Sequence, residues 1–453
     1  MTMRAILGLV GLNGWLFAVG ACLLWGLRGF SSWGDVGRLC GLAYMVGVAA
    51  MGTLWTWQLV VGIDLTLAAV FVGGFVLAAV GIALGVAFHR LLPPRGGLRF
   101  RAPSVTTAVG AALTVVFFEA LFRSGRLAGL YEFDAWSFWV PKAKAIYYFG
   151  GLDHQFFSEL PGQSYPPVVP ALEAAAFRFM GGADVVTLHL QFWFLLLGFV
   201  AALVGLLSPR VRPLFLWPSL LLVLVTPHVV GYSLRPEGDF LLDELFALAC
   251  VLMALWLVDR EPWQLIVAAL LGAGAILTKR EGYVIVACLF VAAFVAGTRD
   301  ARFVWPRIAL AGVAALAAAV PWRVLLAVRG LSGGGPEAGG TGLFANFDRF
   351  WPSMRLALGT VFDFNIWLVV VPVFLIALLA AFACHDRELP VFAAVLFVLC
   401  VAALTWSTWA FPSLPITKEA ALNPIVRFSG ALVLAAAALV PLLVARTGEA
   451  APR

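Results

Sequence analysis

Long apolar runs, each about twenty residues in length, recur from one end of the chain to the other. A helix of that length crosses the hydrocarbon core of a bilayer, so each run predicts a transmembrane helix. The runs are continuous, whereas membrane β-barrels are built from alternating segments of about ten residues. The thirteen predicted spans are 5–27, 39–61, 66–88, 104–122, 184–207, 214–232, 241–258, 263–278, 282–298, 306–328, 362–383, 389–410 and 427–445. The pattern therefore predicts an all-α, polytopic membrane protein.

The composition agrees with this fold class. Of 453 residues, 62% are hydrophobic and 12% are charged, whereas a soluble domain carries about 25% charged residues. The first run, 5–27, is too long for the apolar region of a signal peptide, so we expect it to be retained. The six cysteines show no CxxC spacing, so neither a disulfide framework nor a zinc site is predicted.

Charge in the short loops predicts the orientation of the chain. The net charge of +6 is carried largely between spans, where insertion bias and anionic lipid explain it, so no nucleic-acid partner is expected. Arginine-bearing loops without lysine are 89–101, 208–212, 259–261, 298–307 and 385–388. If these face the cytoplasm, the N-terminus lies outside the cytoplasmic membrane and the C-terminus inside.

A single membrane domain, 1–453, is expected. Its parts are N-terminal helices 1–122, a first large outward loop 123–183, core helices 184–328, a flexible outward loop 329–361 and C-terminal helices 362–453. Residues 165–181 combine prolines with Glu173 and Arg178, which favours an interfacial helix on the outer leaflet that ends at Gly181-Gly182. The glycine-rich segment 333–340 is either a lid or a plain linker.

The long loop begins with acids, amines and aromatic residues. Glu132 and Asp134 precede Lys142 and Lys144, with tryptophans between them. This mixture suits a site for the polar group of an amphiphile, although an aromatic belt with snorkelling lysines explains it equally well. If the segment after Pro141 is helical, the two lysines diverge and at most one of them faces a given ligand.

A second cluster opens the span 241–258. Asp239 and Asp243 are four residues apart, which places them on one face of a helix. Capping of the helix explains Asp239. It does not explain Asp243 and Glu244, because ionisable groups inside a span are costly and usually face a wet cavity.

Two further elements carry charge next to the membrane. Lys279, Arg280 and Glu281 form a turn between two short apolar runs, so the turn is expected below the membrane surface, where its charges need partners. A plain charged hairpin is the alternative. Arg427 begins the last span, where its fork of donors suits a lipid phosphate or simply snorkels.

Four motifs occur in a fixed order along residues 125–300. They are Asp134 followed by Pro141-Lys-Ala-Lys-Ala-Ile-Tyr147, then Tyr165-Pro-Pro-Val-Val-Pro170, then Gly231-Tyr232 before Asp239 or Asp243, then Thr278-Lys-Arg-Glu-Gly282. This order resembles the GT-C superfamily of integral-membrane glycosyltransferases, in particular the bacterial branch near protein O-mannosyltransferases and lipid A aminoarabinose transferases. Two departures are that about four spans precede Asp134 and that either Asp239 or Asp243 matches the second family acid.

The resemblance implies an inverting transfer of sugar from a polyprenyl-phosphate donor to a saccharide, lipid or protein acceptor on the outer face of the membrane. It implies that Asp134 is the general base. Candidates for stabilising the leaving phosphate are cations, namely Lys142, Lys144, Lys279, Arg280 and Arg427. Asp239, Asp243 and Glu281 either hold a divalent metal, Mg²⁺ or Mn²⁺, or position Lys279 and Arg280.

Two other functions are open to a protein of this pattern. A transporter or flippase of lipid-linked saccharides would place ionisable residues at the bilayer midplane in related halves, whereas most of these residues lie at the outer ends of spans. An O-antigen ligase or polymerase would carry a large late outward loop rich in Arg and His, and loop 329–361 has no His.

Overall fold

The computed structural model describes residues 1–90, 92, 102–331, 346–383, 387–409 and 418–449 of the chain, and all regular secondary structure within these ranges is helical. The predicted flexible segment 333–340 lies outside them. The prediction of an all-α membrane protein is confirmed for the part of the chain that is described.

The first half of the chain forms the helices α1 to α11. They are α1 Met3–Arg28, α2 Trp33–Arg38, α3 Cys40–Val60, α4 Leu67–Ala87, α5 Val105–Gly125, α6 Val140–Phe149, α7 His154–Glu159, α8 Val168–Met180, α9 Val185–Leu207, α10 Pro213–Leu224 and α11 Pro227–Tyr232. A π-helix, Ala135–Trp139, leads directly into α6.

The second half forms the helices α12 to α21. They are α12 Gly238–Asp259, α13 Pro262–Thr278, α14 Glu281–Ala296, α15 Ala301–Ala317, α16 Val320–Val328, α17 Phe350–Val361, α18 Phe364–Trp367, α19 Val370–Phe382, α20 Glu388–Trp409 and α21 Lys418–Glu449. Short 3₁₀ turns, Gly297–Asp300 and Phe347–Arg349, precede α15 and α17.

The number of full-length spans is smaller than predicted. Within the described residues, nine helices are long and apolar enough to cross a membrane, and the bent pair Phe347–Trp367 and Val370–Phe382 makes a tenth if it is one span. The predicted spans 214–232, 263–278 and 282–298 instead contain apolar helices of 12, 17 and 16 residues. Hydropathy sums apolar residues along the sequence and does not detect a break between helices. The predicted span 214–232 therefore combines α10 with α11, although Pro227 starts a new helix.

Helix α12 forms the centre of the bundle. Almost every one of its residues is buried, because α9, α13, α14, α20 and α21 pack around it. Helices α4 and α5 are mostly exposed along their apolar faces, as expected of helices that face lipid. The acids at the start of α12 are therefore held inside protein, away from the lipid-facing surface.

Small residues and a polar network join the N-terminal helices to this centre. A Cβ on Gly20 would clash with the backbone of Ala43, so α1 and α3 touch through bare backbone. Tyr44 Oη donates to Asn13 Oδ1 at 2.6 Å, and Asn13 Nδ2 donates to Gln191 Oε1 at 2.9 Å. These bonds link α1, α3 and α9, as polar residues commonly do between membrane helices.

Helix α8 corrects the expectation of a helix that lies on the leaflet. Gly181 ends it in a left-handed conformation, as predicted. Almost all of its side chains are buried against α1, α3 and α6, and Glu173 is fully buried. Burial, and next the charge of Glu237, raise the pKa of Glu173 well above its ordinary value. The prolines and the two charges are typical of a surface helix. In the structure α8 is instead buried, and it packs against α6 of the long loop.

Candidate active site

Asp134 lies at the junction between an irregular loop and a helix. It immediately precedes the π-helix Ala135–Trp139, which continues as α6. A π-helical turn is wider than an α-helical turn and is often found at functional sites. Trp139, in this turn, is fully buried and stacks on Tyr165 with ring centroids 5.4 Å apart. The stacking fixes Asp134 relative to the Tyr165-Pro-Pro segment.

Arg427 joins the long loop to the last helix. Its Nη2 lies 2.5 Å from Asp134 Oδ2 and donates a hydrogen bond of 2.6 Å to Asp239 Oδ2. One guanidinium nitrogen of α21 therefore serves the candidate base and the first acid of α12. The structure thus brings together Asp134, Asp239 and Arg427, three residues that the sequence indicates as candidates in separate segments.

Asp239 pairs with two cations at once. Its Oδ1 accepts a hydrogen bond of 2.5 Å from Lys279 Nζ, while its Oδ2 is bound by Arg427. Asp239 and Lys279 are both buried, with side chains 4% and 1% exposed. A buried charge without a partner is strongly unfavourable, so each of the three residues depends on the others.

The turn between α13 and α14 presents Lys279, Arg280 and Glu281. Gly282 permits this turn, because a Cβ at that position would clash with the carbonyl of Ala275 on α13. Glu281 Oε1 lies 3.8 Å from Lys279 Nζ. Burial alone would lower the pKa of Lys279, but the carboxylates of Asp239 and Glu281 raise it above its ordinary value. Lys279 is therefore a permanent cation.

These residues line one cavity of about 420 Å³, a volume typical of small-molecule sites. Its polar end contains Asp134, Tyr165, Asp239, Asp243, Lys279, Arg280, Glu281 and Arg427. Its other walls are mainly apolar and come from α14, α20 and α21, through residues such as Ile285, Leu404 and Leu432. The cavity thus combines a charged head region with an apolar extension between helices.

Asp243 lies one helical turn after Asp239 on α12 and also faces this cavity. Its Oδ2 is 3.6 Å from His228 Nε2, just beyond hydrogen-bonding distance. Burial lowers the pKa of His228 to about 3, so the imidazole is neutral at physiological pH. Gly430 makes room for the pair, because a Cβ there would clash with the Asp243 carboxylate.

The lysines of α6 lie elsewhere. The helix after Pro141 is present, and the two lysines diverge as predicted: Lys142 is buried, whereas Lys144 is half-buried. Lys142 Nζ donates to Gly162 O at 2.6 Å and lies over the rings of Phe138 and Phe157. Neither lysine lines the cavity. Their predicted contact with phosphate has no support in this geometry.

Glu132 is also directed away from the cavity. Its carboxylate lies 3.2 Å from Arg235 Nε, and the Arg235 guanidinium stacks 3.9 Å over the ring of Tyr232. Of Glu132 and Asp134, only Asp134 lines the cavity.

The carboxylates fit a positioning role better than a metal site. Within the described residues, no group of three His, Cys, Asp or Glu side chains is placed to hold a metal ion. Both oxygens of Asp239 are occupied by Lys279 and Arg427. Asp239 therefore has no free oxygen to offer Mg²⁺ or Mn²⁺ in this arrangement.

Sequence reasoning missed three residues that shape the site. Tyr165 was recognised only as part of a motif, yet it lines the cavity, and the cations of Lys279 and Arg280 lie 5.7 and 5.1 Å from its ring centroid. The ring centroid of Phe428 lies 5.1 Å from Lys279 Nζ. His228 sits behind Asp243. The Tyr-Pro-Pro motif was a usable signal for Tyr165, whereas nothing local in the sequence marks the other two.

Comparison of the chain with protein-family models, with curated proteins and with solved structures finds no match. The arrangement of residues around the cavity is therefore the basis for any functional conclusion.

Proposed function

We propose that this protein is an inverting glycosyltransferase of the GT-C type, which transfers a sugar from a polyprenyl-phosphate donor to an acceptor at the outer face of the cytoplasmic membrane. The observation that carries the proposal is the convergence of Asp134, Asp239, Lys279 and Arg427 on one cavity with an apolar extension. A lipid-linked sugar phosphate has the matching parts, namely a polar head, an anionic linker and an apolar chain.

The cations suit the phosphate of such a donor. Lys279, Arg280 and Arg427 line the same end of the cavity, and fixed cations there stabilise the negative charge that develops on a leaving phosphate. Asp239 holds Lys279 and Arg427 in place before the donor arrives. Such preorganisation avoids the cost of reorienting charges during the reaction.

Asp134 suits the role of the base. In the proposed reaction, the acceptor oxygen attacks the anomeric carbon from the face opposite the phosphate, and the bond from that carbon to the phosphate oxygen breaks. The acceptor proton passes to the Asp134 carboxylate, and polyprenyl phosphate leaves as an anion. A positioned base of this kind contributes about 10²–10⁴ in rate.

The pairing of Asp134 with Arg427 gives the reaction an order. While Arg427 Nη2 binds Asp134 Oδ2 at 2.5 Å, that oxygen is not free to take a proton from the acceptor. A donor phosphate competes with Asp134 for Arg427, so donor binding releases the base. We therefore propose that the donor binds before the acceptor proton is removed.

The position of the charges favours an enzyme over a transporter or flippase. Asp239 and Asp243 lie in the first two turns of α12, and Lys279 lies in a turn between helices. A transport site is expected near the middle of the spans. The same proposal places the protein in the cytoplasmic membrane with the cavity facing outward, in accord with the charge of the short loops.

The test is transfer by the purified full-length protein in liposomes that contain a radiolabelled polyprenyl-phosphate hexose. Asp134→Asn removes the base but keeps the size of the side chain, so sugar transfer to an added acceptor pool or to water should fall by about 10²–10⁴. Glu132→Gln is the matched control, because Glu132 precedes Asp134 by two residues and lies outside the cavity.

The outcomes separate the alternatives. Retained transfer by Asp134→Asn would remove Asp134 from the role of base. If the wild-type protein moves the labelled lipid between leaflets without cleaving the sugar–phosphate bond, it is a flippase and the proposed reaction is wrong.

A further inference from the structure

The cavity contains a carboxylate that the proposed reaction does not use. Asp243 is 1% exposed and lines the cavity, but its Oδ2 has no hydrogen-bond partner among the described residues. Buried polar groups are nearly always hydrogen-bonded, and a buried carboxylate without donors is costly. Asp243 therefore requires hydrogen-bond donors from something that occupies the cavity.

The neighbours of Asp243 do not supply these donors. Arg427 and Lys279 are both engaged by Asp239, one helical turn away. His228, at 3.6 Å, is buried, and its Nε2 has no hydrogen-bond partner within the described part of the chain. Its imidazole lies against Tyr232 and Trp367, with ring centroids 4.5 and 4.3 Å apart. His228 thus lies beside Oδ2 without forming a hydrogen bond to it, and the Asp243 side chain also lines the cavity.

Two other residues that line the cavity also carry a buried polar atom without a hydrogen-bond partner among the described residues. These atoms are Glu281 Oε2 and Arg427 Nε. The cavity therefore presents acceptors on two carboxylates together with a donor on Arg427. A phosphate alone lacks donors for the carboxylates, whereas the hydroxyl groups of a sugar both donate and accept hydrogen bonds.

We infer that Asp243 is a specificity-determining residue, which accepts hydrogen bonds from hydroxyl groups on the far edge of the donor sugar. The inference rests on the proposed function and names the part of the donor that the cavity recognises. One turn of α12, about 5 Å, separates Asp239 from Asp243, and both line the same cavity as Asp134. This separation is comparable to the width of a pyranose ring, so a sugar whose phosphate is bound at Arg427 and Lys279 is large enough to reach Asp243.

The experiment compares two probes with full-length protein in nanodiscs, one a polyprenyl phosphate without sugar and the other the same lipid phosphate carrying a hexose. The wild-type protein should bind the hexose-bearing probe more tightly. Asp243→Asn replaces one carboxyl oxygen with an amide nitrogen, so binding of the hexose-bearing probe should weaken about ten-fold while binding of the sugar-free probe is unchanged. Loss of a hydrogen bond to a buried acceptor accounts for a difference of this size.

Glu244→Gln is the matched control. Glu244 is the next residue of α12 and is equally buried, but it does not line the cavity, so neither probe should change affinity. Gly430→Ala is a second variant, because its added Cβ displaces the Asp243 carboxylate and should reproduce the selective loss.

Four outcomes overturn the inference. Equal weakening of both probes by Asp243→Asn would make Asp243 a structural residue, and no weakening of either would show that water satisfies it. If the wild-type protein binds both probes equally, the phosphate site stands but sugar recognition at Asp243 does not. If it binds neither probe, the proposed donor itself is wrong.

Discussion

Arg427 Nη2 lies 2.5 Å from Asp134 Oδ2, and the same nitrogen lies 2.6 Å from Asp239 Oδ2. One guanidinium of the last helix is thus shared between a residue of the long loop and a residue of the central helix. Since the Arg427 side chain is 13% exposed and that of Asp239 is 4% exposed, water screens this contact poorly, and the pair should be strongly coupled.

Replacement of Arg427 should affect both activity and stability. Arg427→Met leaves Asp239 with Lys279 alone and removes a cation from the donor site, so transfer should be lost and stability should fall by about 3 kcal/mol. Thermal unfolding in detergent and the liposome assay measure the two effects. Arg235→Met is the control, because Arg235 pairs with Glu132 outside the cavity. Normal transfer by Arg427→Met would contradict the phosphate role.

The two acids that share Arg427 should differ in their effect on stability. Asp239→Asn leaves buried Lys279 with only Glu281 at 3.8 Å and leaves Arg427 with only Asp134, and it should cost about 3–5 kcal/mol. Asp134→Asn removes one partner of a more exposed pair, in which Asp134 is 18% exposed, and should cost less than about 2 kcal/mol. The unfolding temperatures of the two purified variants show which substitution destabilises the protein more. The reverse order would mean that Asp239 does not hold the cluster together.

Lys142 should make stability increase with pH in the alkaline range. Burial lowers its pKa from 10.5 to about 7, so the unfolded chain binds a proton that the folded protein does not bind between these values. Stability should therefore rise from about pH 7 towards pH 10. Unfolding temperatures of the wild type and Lys142→Met across this range test it, since the variant should lack the rise. Lys144→Met removes a charge from the same helix and should keep it.

Glu237 should have the opposite pH dependence. Burial, and next the charge of Asp239, raise its pKa from 4.5 to about 7, so the folded protein holds a proton that the unfolded chain releases. Its contribution to stability is present below about pH 4.5 and is lost as pH rises to about 7. Glu237→Gln should therefore stabilise the protein at pH 8 and have little effect at pH 4. Equal shifts at both values would assign the effect to packing.

Gly282 should be intolerant of a side chain. A Cβ there meets the Ala275 carbonyl, so Gly282→Ala must separate α13 from α14 and disturb the turn that carries Lys279. We expect a lower unfolding temperature and weaker binding of the sugar-free lipid phosphate. Gly14→Ala is the control within a helix, because nothing lies within 4 Å of its added Cβ and alanine favours helices over glycine. Comparable losses in both variants would refute the packing argument.

The sequence was sufficient to predict the helical membrane fold and several members of the charged cluster. Asp239, Lys279, Glu281 and Arg427 were recognisable because ionisable residues are rare near membrane spans and each needs a partner, whereas Asp134 was singled out by the family resemblance. Because few groups of opposite charge are available inside the protein, each buried ion has few possible partners.

The sequence was less informative wherever packing decides the outcome. Lys142 resembles a snorkelling residue, but α6 turns it under Phe138 and Phe157. The composition of α8 suits a surface helix, yet its neighbours cover it. Hydropathy measures the length of an apolar run but does not show which elements pack against it. The burial of Lys142 and of α8 could therefore not be predicted from the sequence.

The contact of Arg427 with Asp134 and Asp239 also bears on how the protein is made. Helices enter a membrane in chain order, and the residue that completes the cluster belongs to the last of them. Until α21 is inserted, Lys279 has its partner in Asp239 but Asp134 has no cation, and the cavity has no third wall. On the proposed function, a chain truncated before α21 inserts the earlier helices but lacks the arginine that binds Asp134, so it should transfer no sugar.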